Sequence, residues 1–338
     1  MSLLNLIWYQ KINIKNFIFI FLLLPFSFIF FILSSIRRWM YFNGFKRTFK
    51  SNVPLVIIGG VSVGGSGKTP FCISLVNHLC SKGLKVGVLS RGYHSKNNSY
   101  PVKVELSTDT KICGDEPKLI KMSSPNDLCI FVDPKREGAI RALESEGVDV
   151  ILSDDGLQHY AMKRDIEIVV LDAKRMFGNS FLLPAGPNRE GKWHVKKADF
   201  VVVNGKNDTD YYTMLLKAKK PVSLKSFFDS SISSEDNCLF KDVIAMSGIG
   251  NPQRFYNTLK EQSYNIVRTI NIADHGVVSD SEIIFASEEY PVLMTAKDAV
   301  KYYHLKDCMN LYVVSVDGII DECFFDKFDK KLFDLLKK

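Results

Sequence analysis

The stretch Ser62-Val63-Gly64-Gly65-Ser66-Gly67-Lys68-Thr69 has the residue types and spacing of a phosphate-binding loop. Glycines let a backbone fold tightly and turn several N–H groups toward an anion, and a helix opening at that point adds a favourable dipole. A lysine there reaches the outer phosphates, and a threonine hydroxyl ligates magnesium. Lys68 and Thr69 stand where those roles require them, although Ser62 occupies the position where a first glycine is usual. The chemistry predicted is nucleotide-phosphate binding with magnesium. The plain alternative is a glycine-rich turn that joins a strand to a helix.

Further acids and bases punctuate the chain. The apolar run Val148–Leu152 ends in Ser153-Asp154-Asp155-Gly156-Leu157-Gln158-His159, and an acid at such a strand end commonly holds magnesium or its waters in phosphate-loop proteins. Asp154 and Asp155 are therefore metal candidates. Successive strand residues face opposite ways, so the two are expected to do different jobs. A second acidic pair lies in Cys113-Gly114-Asp115-Glu116-Pro117. Two readings stand for it: a helix cap with Asp115 as the capping residue, or an acid that accepts the proton of an attacking hydroxyl. Arg91-Gly92-Tyr93 and Asp133-Pro134-Lys135-Arg136 bring aromatic or basic groups to strand ends beside the phosphates. The loop Pro184–Glu190 reads either as a linker or as a means of facing Arg189 and Glu190 into a cleft from a second domain. Asp274-His275 is ambiguous by itself, since a lone histidine is more often structural than catalytic, and a catalytic one this far along needs an interdomain cleft.

These groups need a frame. Leu55–Ile58 reads as the buried strand before the glycine loop, with a helix near Phe71–Cys80 after it. Further apolar runs at Lys85–Leu89, Leu128–Val132, Val148–Leu152 and Ile166–Leu171 alternate with helical stretches such as Arg136–Ser145. That alternation predicts a parallel α/β sheet with ligands at the strand ends. A second series (Asp199–Val203, Val243–Met246, Asn265–Ile270, Val292–Thr295, Leu311–Val314) predicts a smaller second α/β domain. The expected division is an N-terminal anchor over 1–36, a phosphate-loop domain over 37–175 and a second domain over 176–338.

Before all of this, Phe17–Ile36 carries no charge and is long enough to cross a ~30 Å hydrocarbon core as a helix. Arg37, Arg38, Lys46, Arg47 and Lys50 follow it, which by the positive-inside tendency keeps the downstream chain cytoplasmic. The formal charge of +7 is consistent with an anionic membrane surface, and no nucleic-acid motif accompanies it. Seven cysteines without a CxxC pair or zinc spacing read as reduced intracellular thiols.

In order along the chain, SVGGSGKTP, RGY, GDEP, SDDGLQHYAMKRDIEIVVLD, FLLPAGPNRE, VVVNG, SGIGNPQRFY, DH and TAKDAVKY resemble the tetraacyldisaccharide 4'-kinase family of lipid A biosynthesis in Gram-negative bacteria. The resemblance implies transfer of the ATP γ-phosphate to the 4'-hydroxyl of an acylated glucosamine disaccharide 1-phosphate at the bacterial inner membrane, with ATP and Mg2+ as cofactors. It implies Asp115 as base with His275 as its partner. Asp154, Asp155 and Gln158 would serve magnesium and phosphate, and Tyr93, Arg136, His159, Arg189 and Glu190 would position substrate or phosphate. The family pattern is broken at His94, at Gly191, at Ala296 where an acid is usual, and after His275. The alternative from another class is a membrane-tethered phosphate-loop switch, but the Asn-Lys-x-Asp spacing of a guanine-specific switch is absent from both Asn204–Asp208 and Thr295–Asp298.

Overall fold

A computed structural model describes residues 7–9, 14–92, 97, 99–206, 208–229, 240–273 and 276–337. The apolar run forms one helix, α1 (Ile14–Phe42), with Pro25 inside it. Among the described residues it is the one helix long and apolar enough to cross a membrane: Phe17–Phe42 reaches a mean hydropathy of 2.8, and 11% of that window is buried. Phe21, Leu22, Phe28 and Leu33 are exposed. The covered stripe contains Ile20 and Ser27, seven residues apart and so on one face. Ile20 packs with Trp8 and Ala185. The Ser27 hydroxyl donates to the Leu182 carbonyl at 2.9 Å and accepts from the Ala185 N–H at 2.9 Å.

The large sheet begins with β1 (Leu55–Gly59), buried along its whole length. Helix α2 (Lys68–Ser81) follows, then β2 (Val86–Ser90), helix α3 (Asp115–Met122) and β3 (Cys129–Val132). Helix α4 (Glu137–Ser145), β4 (Val150–Ser153), β5 (Ile166–Asp172), β6 (Phe200–Asn204) and β7 (Tyr212–Ala218) continue it. The chain then builds β8 (Asp242–Ser247), helix α5 (Pro252–Glu261), β9 (Asn265–Asn271), helix α6 (Asp280–Glu289), β10 (Val292–Thr295) and β11 (Leu311–Val314). It closes with β12 (Val316–Ile320) and helix α7 (Glu322–Leu336).

Among the described residues, nine strands form the large sheet in the order β12-β7-β6-β5-β1-β4-β2-β3 followed by Val102–Lys103. It is parallel from β7 to β3, with an antiparallel strand at each edge. The register pairs Ile57 with Ser153, so the ends of β1 and β4 emerge side by side. That is where an open parallel sheet binds ligands. The small sheet runs Val222–Ser223, β11, β10, β8, β9, and its four long strands are parallel.

The α/β architecture is as expected, but the boundary drawn at residue 175 falls between β5 and β6 of one sheet. The chain changes sheets at 219–221 and returns after Val314. β6 is buried on both faces, so its apolar run carries no mark of which sheet it joins. The return is secured by α7, whose Phe324 ring meets Phe71, Phe200 and Tyr212 with centroids 5.5, 5.4 and 5.5 Å away. The two domains also touch through α3, whose Leu119 lies in the small domain's apolar cluster with Ile244, Met246 and Met294.

Candidate active site

The glycine loop leaves the end of β1 and opens α2. Gly64 and Gly67 adopt φ of 103° and 93°, in the left-handed region that favours glycine. At Gly67 a Cβ would also lie 2.3 Å from the Asn204 side-chain nitrogen. α2 starts at Lys68 with no side-chain cap, so its first-turn N–H groups remain available for an anion. The loop is braced from outside: the Val63 N–H donates to the Pro187 carbonyl at 2.9 Å, and Ser62 bridges to Asn188. Gly64 and Gly65 are exposed, whereas Ser66 is buried with its hydroxyl unpartnered.

The two acids that follow β4 (Val150–Ser153) occupy opposite environments, but they lie in the turn after the strand and not in it, so the difference comes from that turn and not from the strand alternation expected. Asp154 is 2% exposed, and one of its carboxylate oxygens is buried without a partner. Burial first, then the charges of Glu116 and Asp155, raise it to about 7. Asp155 turns the other way, at φ 47°. Lys68 Nζ lies 3.6 Å from its Oδ1 and Arg189 donates to both its oxygens at 3.1 and 3.3 Å. Burial alone would raise this carboxyl, but Lys68, Arg189 and Arg136 hold it well below the usual range.

Around them the strand-end residues interlock. Gln158 and Arg189 both donate to the Gly60 carbonyl, at 3.1 and 3.2 Å. Arg136 sits at φ 66°, a strained conformation for a long side chain, and donates to the Asp155 carbonyl at 2.8 Å. Burial draws its guanidinium down to about 10, against the pull of Asp155. His159 is pushed down to about 4 by burial, then by Arg136, Arg37 and Arg164, so it is neutral at pH 7. The oxygen donors suit magnesium: a buried carboxylate oxygen without a partner, a second carboxylate and the Thr69 hydroxyl. No group of three or more His, Cys, Asp or Glu among the described residues could hold a metal alone. An ion here would be shared with nucleotide phosphates, as magnesium commonly is.

In the GDEP segment, Gly114 (φ 91°, ψ 160°) caps α3 and Asp115 is the first residue inside the helix. This corrects the capping role considered for Asp115: the preceding turn Thr110–Cys113 ends on the same glycine, and only glycine suits that backbone. Asp115 and Glu116 face the small domain, with Lys301 Nζ 3.6 Å from Asp115 Oδ2 and Lys297 Nζ 3.4 Å from Glu116 Oε1. Tyr93 and the pair Asp274-His275 lie outside the described residues.

The Pro184–Glu190 loop belongs to the large domain, between β5 and β6, and not to the second domain as expected. Arg189 enters the site while Glu190 turns away from it. Glu190 is buried, paired with Arg38 at 3.1 Å, bonded by the Tyr160 hydroxyl and 3.7 Å from His194 Nδ1. The Arg38 guanidinium also stacks 3.9 Å above Trp193. Glu190 thus ties the end of α1 to the loop that braces the glycine loop.

Three further residues border the nucleotide site. Asn204, at the end of β6, donates to the Ser66 carbonyl at 3.0 Å. Arg254 of α5 donates to Asn204 Oδ1 at 2.9 Å and lies 3.6 Å from Asp172. Arg175 donates to the Gly250 carbonyl at 3.1 Å. Asn204 and Arg254 lie within the VVVNG and SGIGNPQRFY motifs, where polar residues at a strand end and near a helix start were the available signal.

A glycine loop between a buried strand and an uncapped helix, with an acid pair just past the neighbouring strand, defines a P-loop nucleotide-binding protein. The comparisons narrow this. Residues 19–333 match the family described as LpxK, tetraacyldisaccharide-1-P 4'-kinase, and the chain belongs to that family. It is 40% identical to a tetraacyldisaccharide 4'-kinase of Haemophilus influenzae over 96% of this chain and 97% of that one. With the enzyme of that name from Mannheimia succiniciproducens it shares 43% identity over 88% of each. Among solved structures it is similar to LpxK from Aquifex aeolicus in complex with ATP, with a TM-score of 0.73, 28% identity, and coverage of 93% of this chain and 98% of that one.

Proposed function

We propose that this chain transfers the γ-phosphate of ATP to the 4'-hydroxyl of tetraacyldisaccharide 1-phosphate, giving lipid IVA, at the cytoplasmic face of the bacterial inner membrane. The observation that carries the reading is the division of acids. Asp155 is paired with Lys68 at the glycine loop, whereas Asp115 sits apart, at the boundary with the small domain. A phosphoryl transfer needs both a charge clamp on the donor and a separate acceptor for the hydroxyl proton. The exposed apolar face of α1 and the cations that follow it supply a means of meeting a lipid substrate in its own bilayer.

In this mechanism the loop N–H groups and the start of α2 cradle the β and γ phosphates, and Lys68 exchanges Asp155 for a γ oxygen. Thr69, Asp154, Asp155 and Gln158 would hold magnesium, which when bound neutralises charge building on the phosphates. Arg189 and Arg136 keep Asp155 oriented from the far side. Asp115 accepts the proton of the attacking 4'-hydroxyl, with His275 as its partner, and Arg254 and Asn204 hold the loop against the small domain.

The base assignment is tested with Asp115→Ala in detergent micelles containing the acylated disaccharide. Its kcat is expected to fall by about 10²–10⁴-fold with KM for ATP within about threefold, because proton transfer and nucleotide binding are separate. A correctly folded Asp115→Ala enzyme turning over at the normal rate contradicts the assignment.

A further inference from the structure

The two acids that open α3 are each met by a lysine of the other domain. Lys297 and Lys301 lie four residues apart, in and just after the helical turn Ala296–Ala299, and so share a face. Their ammonium groups approach Glu116 at 3.4 Å and Asp115 at 3.6 Å. The two pairs are not equivalent. The Lys301 side chain is only 4% exposed and its neighbour Asp298 is 0% exposed, and a cation so far withdrawn from water requires compensation.

The small domain builds that compensation. Asp298 accepts from the Gly248 N–H at 2.9 Å, from the Thr295 hydroxyl at 2.6 Å and from Lys301 Nζ at 3.1 Å. Lys301 also donates to the Gly276 carbonyl at 2.9 Å, the residue after His275. An ammonium has three N–H groups. Two are satisfied inside the small domain, and the third is left for Asp115 across the boundary. Docking itself does not depend on this lysine, since Leu119 of α3 is held in the small domain's apolar cluster.

We propose that Lys301 is a positioning residue for phosphoryl transfer: a cation seated by Asp298 that orients the Asp115 carboxylate toward the acceptor hydroxyl only while the two domains are docked. The proposal rests on Asp115 being the base. A pair 3.6 Å long is beyond hydrogen-bond distance and so steers the carboxylate without sharing its proton. Through Gly276 the same cation fixes the backbone beside His275.

The test is steady-state kinetics of the full chain in detergent micelles with the acylated disaccharide 1-phosphate and magnesium ATP. Lys301→Met is expected to lower kcat about 10²-fold while KM for ATP stays within about twofold, because misplacing a reacting group costs rate and not nucleotide binding. Lys301→Arg keeps the charge, and is expected to recover about tenfold over the methionine variant. Added to Asp115→Ala, Lys301→Met is expected to cost less than about threefold more, since residues acting as a unit are not additive. Should Lys301→Met fail to fold with Asp298 left unpaired, Asp298→Asn with Lys301→Met removes both charges, and the same readouts apply. A methionine variant within about threefold of the parent kcat, or an undiminished loss in the Asp115→Ala background, overturns the proposal. An active Asp115→Ala enzyme removes the base assignment instead, whereas an inactive one alongside an active Lys301→Met enzyme removes only the role of Lys301.

Discussion

Asp154 and Asp155 show how far a side chain's chemistry is decided by where the backbone aims it. They are adjacent in sequence, yet one is buried with an unpartnered oxygen and raised to about 7, while the other is clamped by Lys68 and Arg189 and held far below the usual range. That they differ was expected from strand alternation, but the cause is the turn after β4, where Asp155 takes a left-handed φ of 47°. His159 follows the same logic with opposite charge. Burial and nearby arginines depress it to about 4 in the fold, against 6.5 for the free side chain. A depressed histidine contributes stability that is present above pH 6.5 and is lost as the pH falls toward 4, because the unfolded chain binds the proton first. Allowing for its partial exposure, the loss is about 1–2 kcal/mol. Melting temperatures at pH 7 and pH 5 check this: the parent is expected to lose more than His159→Asn over that interval, and equal losses contradict it.

At the scale of elements, the ten strands expected from apolar runs are all present, because most are buried parallel strands, which announce themselves by composition. Such runs do not disclose partnership: β6 belongs to the large sheet and not, as expected, to the second domain, and β7, β12 and α7 lie outside every expected run. The signal for α7 was available. Phe324, Phe328 and Leu332 recur every four residues and are all buried, but the lysines and aspartates between them lowered the apolar density of the stretch. This helix is the outer wall of the large domain. Phe324→Ala is therefore expected to destabilise the protein by about 3–5 kcal/mol, a cost typical of emptying a packed aromatic site. Chemical denaturation checks it, and a change below about 1 kcal/mol would mean that α7 is not part of the folded core.

For the whole molecule, the motifs were legible in order before their arrangement was. The glycine loop, the acid pair and Arg189 converge at one sheet end, and the Asp115 segment meets the small domain. Glu190, expected in the site, instead fastens the end of α1, a long-range contact that no local pattern encodes. Lys301, Asn204 and Arg254 were likewise hidden, since each acts across a boundary between elements distant in sequence. The resulting molecule holds a glycine loop against the long apolar N-terminal helix on one side and a second domain on the other. The most direct test follows γ-labelled ATP, incubated with the purified full chain and the acylated disaccharide 1-phosphate in micelles. Label is expected in the lipid at the 4' position, with little phosphate released when the acceptor is omitted. Rapid hydrolysis without acceptor, and no labelled lipid with it, would contradict the kinase assignment and favour a P-loop switch.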